Sequence, residues 1–301
     1  MGCVPLALAL LGLLAGCSAA PGDRIVGGAT VASASSFPYQ CAVYNVGSGT
    51  FLCGCSLISG SWVLTAASCL RALGPTSNTD LAPSSLQVLL GGVQLTRPAR
   101  VAAISRALIH PSWTFSVPQD QRVNLAWMNL ATAVPYTSVT LPVQLVTAAE
   151  AAVYAAPGAG PAVVAGWGST GSGGFPATLQ SATGSVLAGT TCDVALAGST
   201  QLPLSASELC ASAAPCAGDV GGALVVTLSS GARQVGIVSR TTAAPNQTCG
   251  EAGQYAIYTA VGPYRNFIQL YMNEPLYVST PAAASVAGAS LAMLLLVFFA
   301  Q

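Results

Sequence analysis

The stretch Gly218-Asp219-Val220-Gly221-Gly222 stands just before two apolar runs near the C-terminal end of the chain. Similar short runs rich in Val, Ile, Leu and Thr recur between clusters of Gly, Pro and Ser, at 40–46, 51–58, 62–66, 86–90, 101–109, 162–166, 224–228, 234–238 and 255–261. This spacing predicts an all-β sandwich or barrel. A helical pattern appears at 264–272, where apolar residues recur at intervals of three and four.

The composition argues against partners that bind through charge. Of the 301 residues, 52% are apolar and only 6% are charged, against about 25% in ordinary soluble domains. Nine arginines balance nine acidic residues, there is no lysine, and the net charge is zero. The chain therefore has no electrostatic basis for binding nucleic acid, a heparin-type polyanion or an anionic membrane surface.

The ten cysteines indicate a disulfide framework. Cys3 and Cys17 fall in an N-terminal apolar segment, which leaves an even set, as expected of an exported protein. Cys41 and Cys55 flank a Gly-Ser-Gly turn at 47–49, so we expect one cross-strand disulfide between them. A metal site is the alternative, but the spacings do not match Cys-x-x-Cys ligand pairs. We expect no metal and no other cofactor.

The N-terminal segment has the pattern of a signal peptide. Residues 4–16 are apolar and small residues follow, which predicts a signal peptide over 1–19 and a short propeptide over 20–24. Cleavage near Ala19 or Ala20 also removes Cys17 and keeps the cysteine count even. Two acylation signals remain as alternatives, because Leu14–Cys17 is similar to a bacterial lipoprotein box and Met1-Gly2-Cys3 to an acylation site.

The C-terminal segment, 273–301, is predicted to be a linker and an apolar tail. Small residues fill 282–290, apolar residues fill 291–300, and no charge follows. This pattern favours a GPI-attachment signal, with Ser279 and Ser285 as candidate attachment residues. A spanning helix and an unanchored tail are the alternatives. We expect the protein in the secretory pathway, extracellular or at the cell surface, held to a membrane through this tail.

A series of ordered motifs over about 25–272 resembles the trypsin-like serine protease family. The matching segments are Arg24–Gly28, Phe37–Gln40, Cys53-Gly54, Ser61–Ala67, Ala165–Gly168, Gly218–Gly222, Gly236–Ser239 and Tyr258–Val261. The resemblance implies two packed six-stranded antiparallel β-barrels with a C-terminal helix. It also implies three disulfides, Cys53–Cys69, Cys192–Cys210 and Cys216–Cys249.

The three catalytic positions of that family hold other residues in this chain. The resemblance places Ser68 at the general base, Asn124 at the carboxylate that orients it, and Val220 at the nucleophile. Valine cannot attack an acyl carbon, and a serine hydroxyl cannot accept protons as an imidazole does. The one histidine, His110, lies in a different motif and is expected at a loop or core edge.

The sequence therefore predicts a non-enzymatic protease homologue that acts on an unknown protein ligand by binding, adhesion or regulation. Two alternatives stay open. One is a residual hydrolase that uses side chains outside the triad positions. The other is a secreted defence or binding protein similar to azurocidin, a family member that also has serine at the base's position.

The resemblance assigns further roles around the same site. It implies activation cleavage between Arg24 and Ile25, followed by an ion pair between the Ile25 ammonium and Asp219. Gly218 and Val220 stand at the oxyanion hole, and the remnant of the specificity pocket holds Ala214, Arg240 and Ala256. Arg240 is expected to be solvated or to engage an acidic partner.

One modification site is also predicted. Asn246 begins an Asn-Gln-Thr glycosylation sequon.

Overall fold

The structure is a computed structural model that describes residues 28–73, 78–113, 123–154, 161–169, 175–213, 215–243, 249, 251, 253–272 and 274–278. The strands are β1 (Ala29–Thr30), β2 (Gln40–Asn45), β3 (Thr50–Leu57), β4 (Trp62–Thr65), β5 (Arg71–Leu73), β6 (Asn78–Asp80), β7 (Leu86–Leu90), β8 (Arg100–Ile109), β9 (Ala126–Leu130), β10 (Gln144–Leu145), β11 (Pro161–Gly166), β12 (Gln180–Leu187), β13 (Glu208–Ala211), β14 (Ala223–Leu228), β15 (Gly231–Thr241) and β16 (Ala256–Ala260). The helices are α1 (Ala148–Tyr154), α2 (Gly189–Leu196) and α3 (Arg265–Tyr271).

The first barrel closes through strands β2, β3, β4, β9, β8 and β7. Its interior is filled by aliphatic and sulfur side chains such as Val43, Leu57, Leu64, Val88 and Met128, none of which is exposed. Burial of these side chains is the main favourable contribution to closing the sheet on itself. Closure also leaves no strand edge of this barrel open to another chain.

The second barrel closes through β12, β11, β14, β15, β16 and β13, because β13 also pairs with β12. Two short strands extend it, β1 beside β12 and β10 parallel to β15. Together the two closed six-stranded barrels and the short helix α3 confirm the predicted fold class. The expected runs along the chain all coincide with strands, and the expected helix coincides with α3.

Four disulfides hold loops and strands of the two barrels. The pairs are Cys41–Cys55, Cys53–Cys69, Cys192–Cys210 and Cys216–Cys249. They are the pairs expected from the hairpin argument and from the family resemblance. The Cys41–Cys55 disulfide joins residues that stand directly opposite each other on β2 and β3, and both are fully buried.

His110 lies at the end of β8, where helix α3 packs against the first barrel. Its imidazole is 4.5 Å from the Phe267 ring and 5.0 Å from the Tyr264 ring, measured between ring centroids. The backbone N–H of Ser112 donates to Nδ1 at 3.2 Å. The histidine is thus at the core edge, as expected, and burial lowers its pKa.

In the part of the chain that the structure describes, no helix is both long and apolar enough to cross a membrane. The predicted signal peptide, the propeptide and the tail beyond residue 278 lie outside the described residues.

Removing the Cys41–Cys55 disulfide should destabilise the first barrel. The bridge closes a loop of 14 residues, for which the chain-entropy argument gives about 3 kcal/mol or less. We expect the Cys41→Ala/Cys55→Ala double variant to unfold at lower denaturant concentration, with a free energy of unfolding reduced by about 2–3 kcal/mol. Equilibrium unfolding in urea measures this, and an unchanged free energy would contradict the structural role.

Acidification should weaken the contact between His110 and helix α3. Because burial lowers the folded-state pKa below the ordinary value of 6.5, the unfolded chain binds the proton more readily. The stability contributed by neutral His110 is therefore complete above pH 6.5 and is lost as the pH falls through the folded-state pKa. The difference in unfolding free energy between wild type and His110→Gln should shrink between pH 7 and pH 5. A difference that is constant over this range would refute the assignment.

Candidate functional site

The site lies at the seam between the two barrels. Ser68 stands on the helical turn Ala67–Leu70 after β4, Asn124 precedes β9, and Val220 lies between β13 and β14. The backbone N–H of Gly54 on β3 donates to the carbonyl of Val220 at 2.9 Å. A Cβ atom at Gly54 would stand 2.9 Å from the backbone nitrogen of Gly222, so only glycine permits this close approach of the barrels.

The side chain of Asn124 is the centre of the site and is fully buried. Its Oδ1 accepts from the backbone N–H of Ser68 at 2.8 Å. Its Nδ2 donates to Ser68 Oγ and to Ser239 Oγ, each at 3.1 Å. The Thr259 hydroxyl donates to the backbone carbonyl of Asn124 at 3.2 Å. Ser68 belongs to the first barrel and Ser239 to the second, so one neutral amide links the two.

This arrangement contains little that can move a proton. An amide is neither a useful acid nor a useful base near neutral pH. The oxygen of the Ser68 hydroxyl already accepts a hydrogen bond from the Asn124 amide. Val220 is half-buried and packs against the apolar core, while its carbonyl accepts from Gly54 and lies 3.7 Å from Cys69 Sγ. The structure thus brings Ser68 and Asn124 together through hydrogen bonds, and Val220 contacts Cys69, the residue next to Ser68.

The loop around Val220 has the tight backbone that its glycines allow. Gly218 has φ of +96° and Gly221 has φ of +85°, values in the left-handed region that favour glycine. A Cβ at Gly221 would collide with Thr65 Oγ1, and one at Gly218 would stand 2.8 Å from the ring of Phe175. The turn is therefore specified by glycine independently of the side chain at 220.

Asp219 is buried beneath this loop, with 1% of its surface exposed. Its carboxylate accepts from the backbone N–H of Gly168 at 2.7 Å and of Cys216 at 2.9 Å. Burial raises the pKa of the carboxyl to about 6, although both hydrogen bonds act in the opposite direction. A Cβ at Gly166 or Gly168 would overlap the carboxylate, so these glycines form its cradle. Its predicted partner Ile25, and the cleavage residue Arg24, lie outside the described residues.

The expectation that Arg240 is solvated is wrong. Only 10% of its side chain is exposed, and its Nη2 lies 3.0 Å from Oε1 of Glu208, whose side chain is fully buried. The guanidinium also donates to Gln201 Oε1 at 3.0 Å and to the carbonyl of Leu202 at 3.3 Å. Burying a guanidinium requires such compensation, because an unpaired charge would be costly in the interior.

Some of the remaining predicted positions are among the residues that the structure describes, and others are not. Ala256 is fully buried on β16, opposite Thr241. Tyr258, two residues further along β16, donates its hydroxyl to the carbonyl of Ala213 at 2.7 Å. Ala214 at the pocket floor and Asn246 of the sequon lie outside the described residues.

Sequence reasoning missed Gln201, Glu208 and the side-chain role of Ser239. Ser239 lies in a recognised motif, and its hydroxyl becomes informative only beside Asn124. Gln201 and Glu208 are 39 and 32 positions before Arg240, and no local pattern connects them. Among the described residues, no group of three or more His, Cys, Asp or Glu side chains is arranged to hold a metal ion.

The two barrels, and a site set at the seam between them, define a chymotrypsin-type fold. The family profile described as trypsin matches residues 25–268. Trypsin I-P1 of Gallus gallus is 30% identical over 259 residues, which are 84% of this chain and 90% of the relative. Trypsin of Sus scrofa is 30% identical over 82% of this chain and 95% of its own length. Kallikrein-8 of Rattus norvegicus is 25% identical over 88% and 93%. The chain belongs to the trypsin family.

Proposed function

We propose that this protein is a non-catalytic member of the trypsin family that acts by binding another protein. The observation that carries the proposal is the hydrogen bonding of Asn124, whose amide donates to Ser68 and Ser239. In an active protease this place needs a nucleophile, a base and a group that holds the base in the correct tautomer. Ser68, Asn124 and Val220 offer none of the three.

A residual hydrolase is the competing function. It would need another base, and the one histidine is held between Tyr264 and Phe267 next to helix α3. Asp219, whose pKa is about 6, is buried and occupied by two backbone N–H groups. Neither group is free to accept a proton from a substrate at the seam, which favours the binding function.

The zero net charge and the absence of lysine argue against a charge-driven defence role of the azurocidin kind. A protein ligand recognised through shape and neutral hydrogen bonds fits the composition better.

We further propose that the protein matures in the secretory pathway and is displayed at the cell surface through its tail. The four disulfides support an oxidising compartment. The apolar stretch 291–300, which is shorter than a spanning helix needs, supports a GPI-attachment signal. Cleavage after Arg24 is part of the same proposal, since an Ile25 ammonium would neutralise the buried Asp219 carboxylate.

We expect the wild-type protein to show no turnover of peptide esters or anilides after cleavage at Arg24. Loss of all three triad groups costs about 10⁶-fold in kcat, which places any remaining rate below ordinary detection. Val220→Ser should be equally inactive, because Ser68 cannot accept the new hydroxyl's proton. Initial-rate assays on both proteins, with an active trypsin as the positive control, measure this.

Contaminating protease must be separated from intrinsic activity. Ser68→Ala and His110→Gln serve as matched controls, since each removes one polar group from the seam or from the core edge. Turnover by the wild type that disappears in either variant would overturn the proposal in favour of a residual hydrolase. Turnover that is unchanged by both variants and disappears after an independent purification step would identify a contaminant.

The tail makes a separate prediction. Phosphatidylinositol-specific phospholipase C should release the protein from expressing cells, and the mature C-terminus should map between Ser279 and Ser285. Retention after the enzyme, with the tail peptide still attached by mass spectrometry, would instead mean a spanning helix. Recovery of the intact chain in the medium would contradict both forms of anchoring.

A further inference from the structure

The end of strand β15 leaves backbone groups that β14 does not pair. The β14–β15 pairing extends along β15 only to Ile237, which stands opposite Ala223. On its other side β15 continues beside β16 to Thr241. On the β14 side, Val238 is still paired, because its N–H donates to the carbonyl of Gly222 and its carbonyl accepts from the N–H of Gly221, each at 2.9 Å. Beyond Val238, none of the strands that the structure describes pairs with this side of β15.

The carbonyl of Thr241 lies on that open side. The backbone N–H of the next residue, Thr242, donates to Tyr255 at 2.9 Å, toward the β16 side. Successive residues of an extended strand direct their backbone polar groups to opposite sides. Thr241 thus presents its carbonyl away from β16, where an added extended peptide would donate an N–H to it.

A side chain of the protein itself already makes that hydrogen bond. Gln201 Nε2 donates to the Thr241 carbonyl at 3.0 Å. The other end of the same amide, Oε1, accepts from Arg240 Nη1 at 3.0 Å. The side chain of Gln201 therefore bridges the backbone carbonyl of Thr241 and the guanidinium of Arg240.

Arg240 is in turn held by Glu208, so the bridge has a fixed support. Both Nε and Nη2 of Arg240 donate to Oε1 of Glu208, at 3.3 and 3.0 Å. The other carboxylate oxygen accepts from the backbone N–H of Ser205 at 2.9 Å and from its hydroxyl at 3.0 Å. A buried, fully bonded pair of this kind keeps its geometry, because releasing either partner would leave a desolvated charge.

We propose that Gln201, Arg240 and Glu208 form an internal latch that closes the β15 edge against extended peptides. The side-chain amide of Gln201 supplies the N–H donor that an incoming peptide would otherwise bring to the Thr241 carbonyl. The protein ligand of the proposed function would accordingly bind on a different surface. The inference goes beyond that function, since the latch closes this edge whether or not the seam has any activity.

The test measures whether releasing Gln201 opens the edge. The probe is a Kunitz-type inhibitor domain whose exposed loop presents an extended peptide, with alanine at the residue nearest the pocket. Its affinity for the full-length protein is measured by surface plasmon resonance. Gln201→Ala removes the two side-chain hydrogen bonds of Gln201, and Gln201→Glu keeps a contact with Arg240 but cannot donate to Thr241. Gln269→Ala, on the exposed face of α3, is the matched control.

Both Gln201 variants should bind the probe about tenfold more tightly than the wild type, because the peptide no longer has to displace a formed hydrogen bond. The Gln269 control should bind as the wild type does. Thermal unfolding midpoints establish that all four proteins are folded. Equal affinity in the wild type and both Gln201 variants, or no binding by any of them, would overturn the latch. Failure of the proposed function appears separately, as substrate turnover without the probe.

Discussion

The buried amide of Asn124 is the interaction on which the site between the barrels depends. It accepts one hydrogen bond from Ser68 and donates two, to Ser68 Oγ and Ser239 Oγ, with no net charge to neutralise. A carboxylate at the same place would be stable only with donors arranged around it and would favour a charged neighbour. The neutral amide instead satisfies two serine hydroxyls, and the seam is closed by ordinary hydrogen bonds. The chemistry available at the seam follows from having a neutral amide, and not a carboxylate, at position 124.

The loop that carries Val220 is shaped by glycines and by one buried carboxylate. The glycines around Val220 and the cradle of Asp219 still specify a tight loop with a buried carboxylate. In the second barrel, Arg240 and Glu208 form a shielded ion pair at the end of β15. We interpret the molecule as a trypsin-family scaffold whose polar groups are satisfied internally. Recognition would then use surfaces other than the cleft.

Much of the fold could be predicted from the sequence, because the longer strands are apolar runs bounded by Gly, Pro and Ser. The hairpin disulfide Cys41–Cys55 followed from the same logic. The barrel strands β9, β12 and β13 were not among the predicted runs. Strand β12 is rich in small and polar residues and takes its place through pairing with β11 and β13. The prediction that Arg240 is solvated was wrong for a related reason. Its partner Glu208 is distant in sequence, and neither composition nor periodicity encodes a tertiary ion pair.

The proposed lack of catalysis requires that no group at the seam attacks an acyl or phosphonyl centre. The most direct measurement is mass spectrometry of the full-length protein, cleaved at Arg24, after incubation with a reactive fluorophosphonate that labels activated serines. The account predicts an unmodified intact mass and no labelled peptide containing Ser68, Ser239 or Val220. A stoichiometric adduct on either serine would show an activated nucleophile beside Asn124 and would contradict the account.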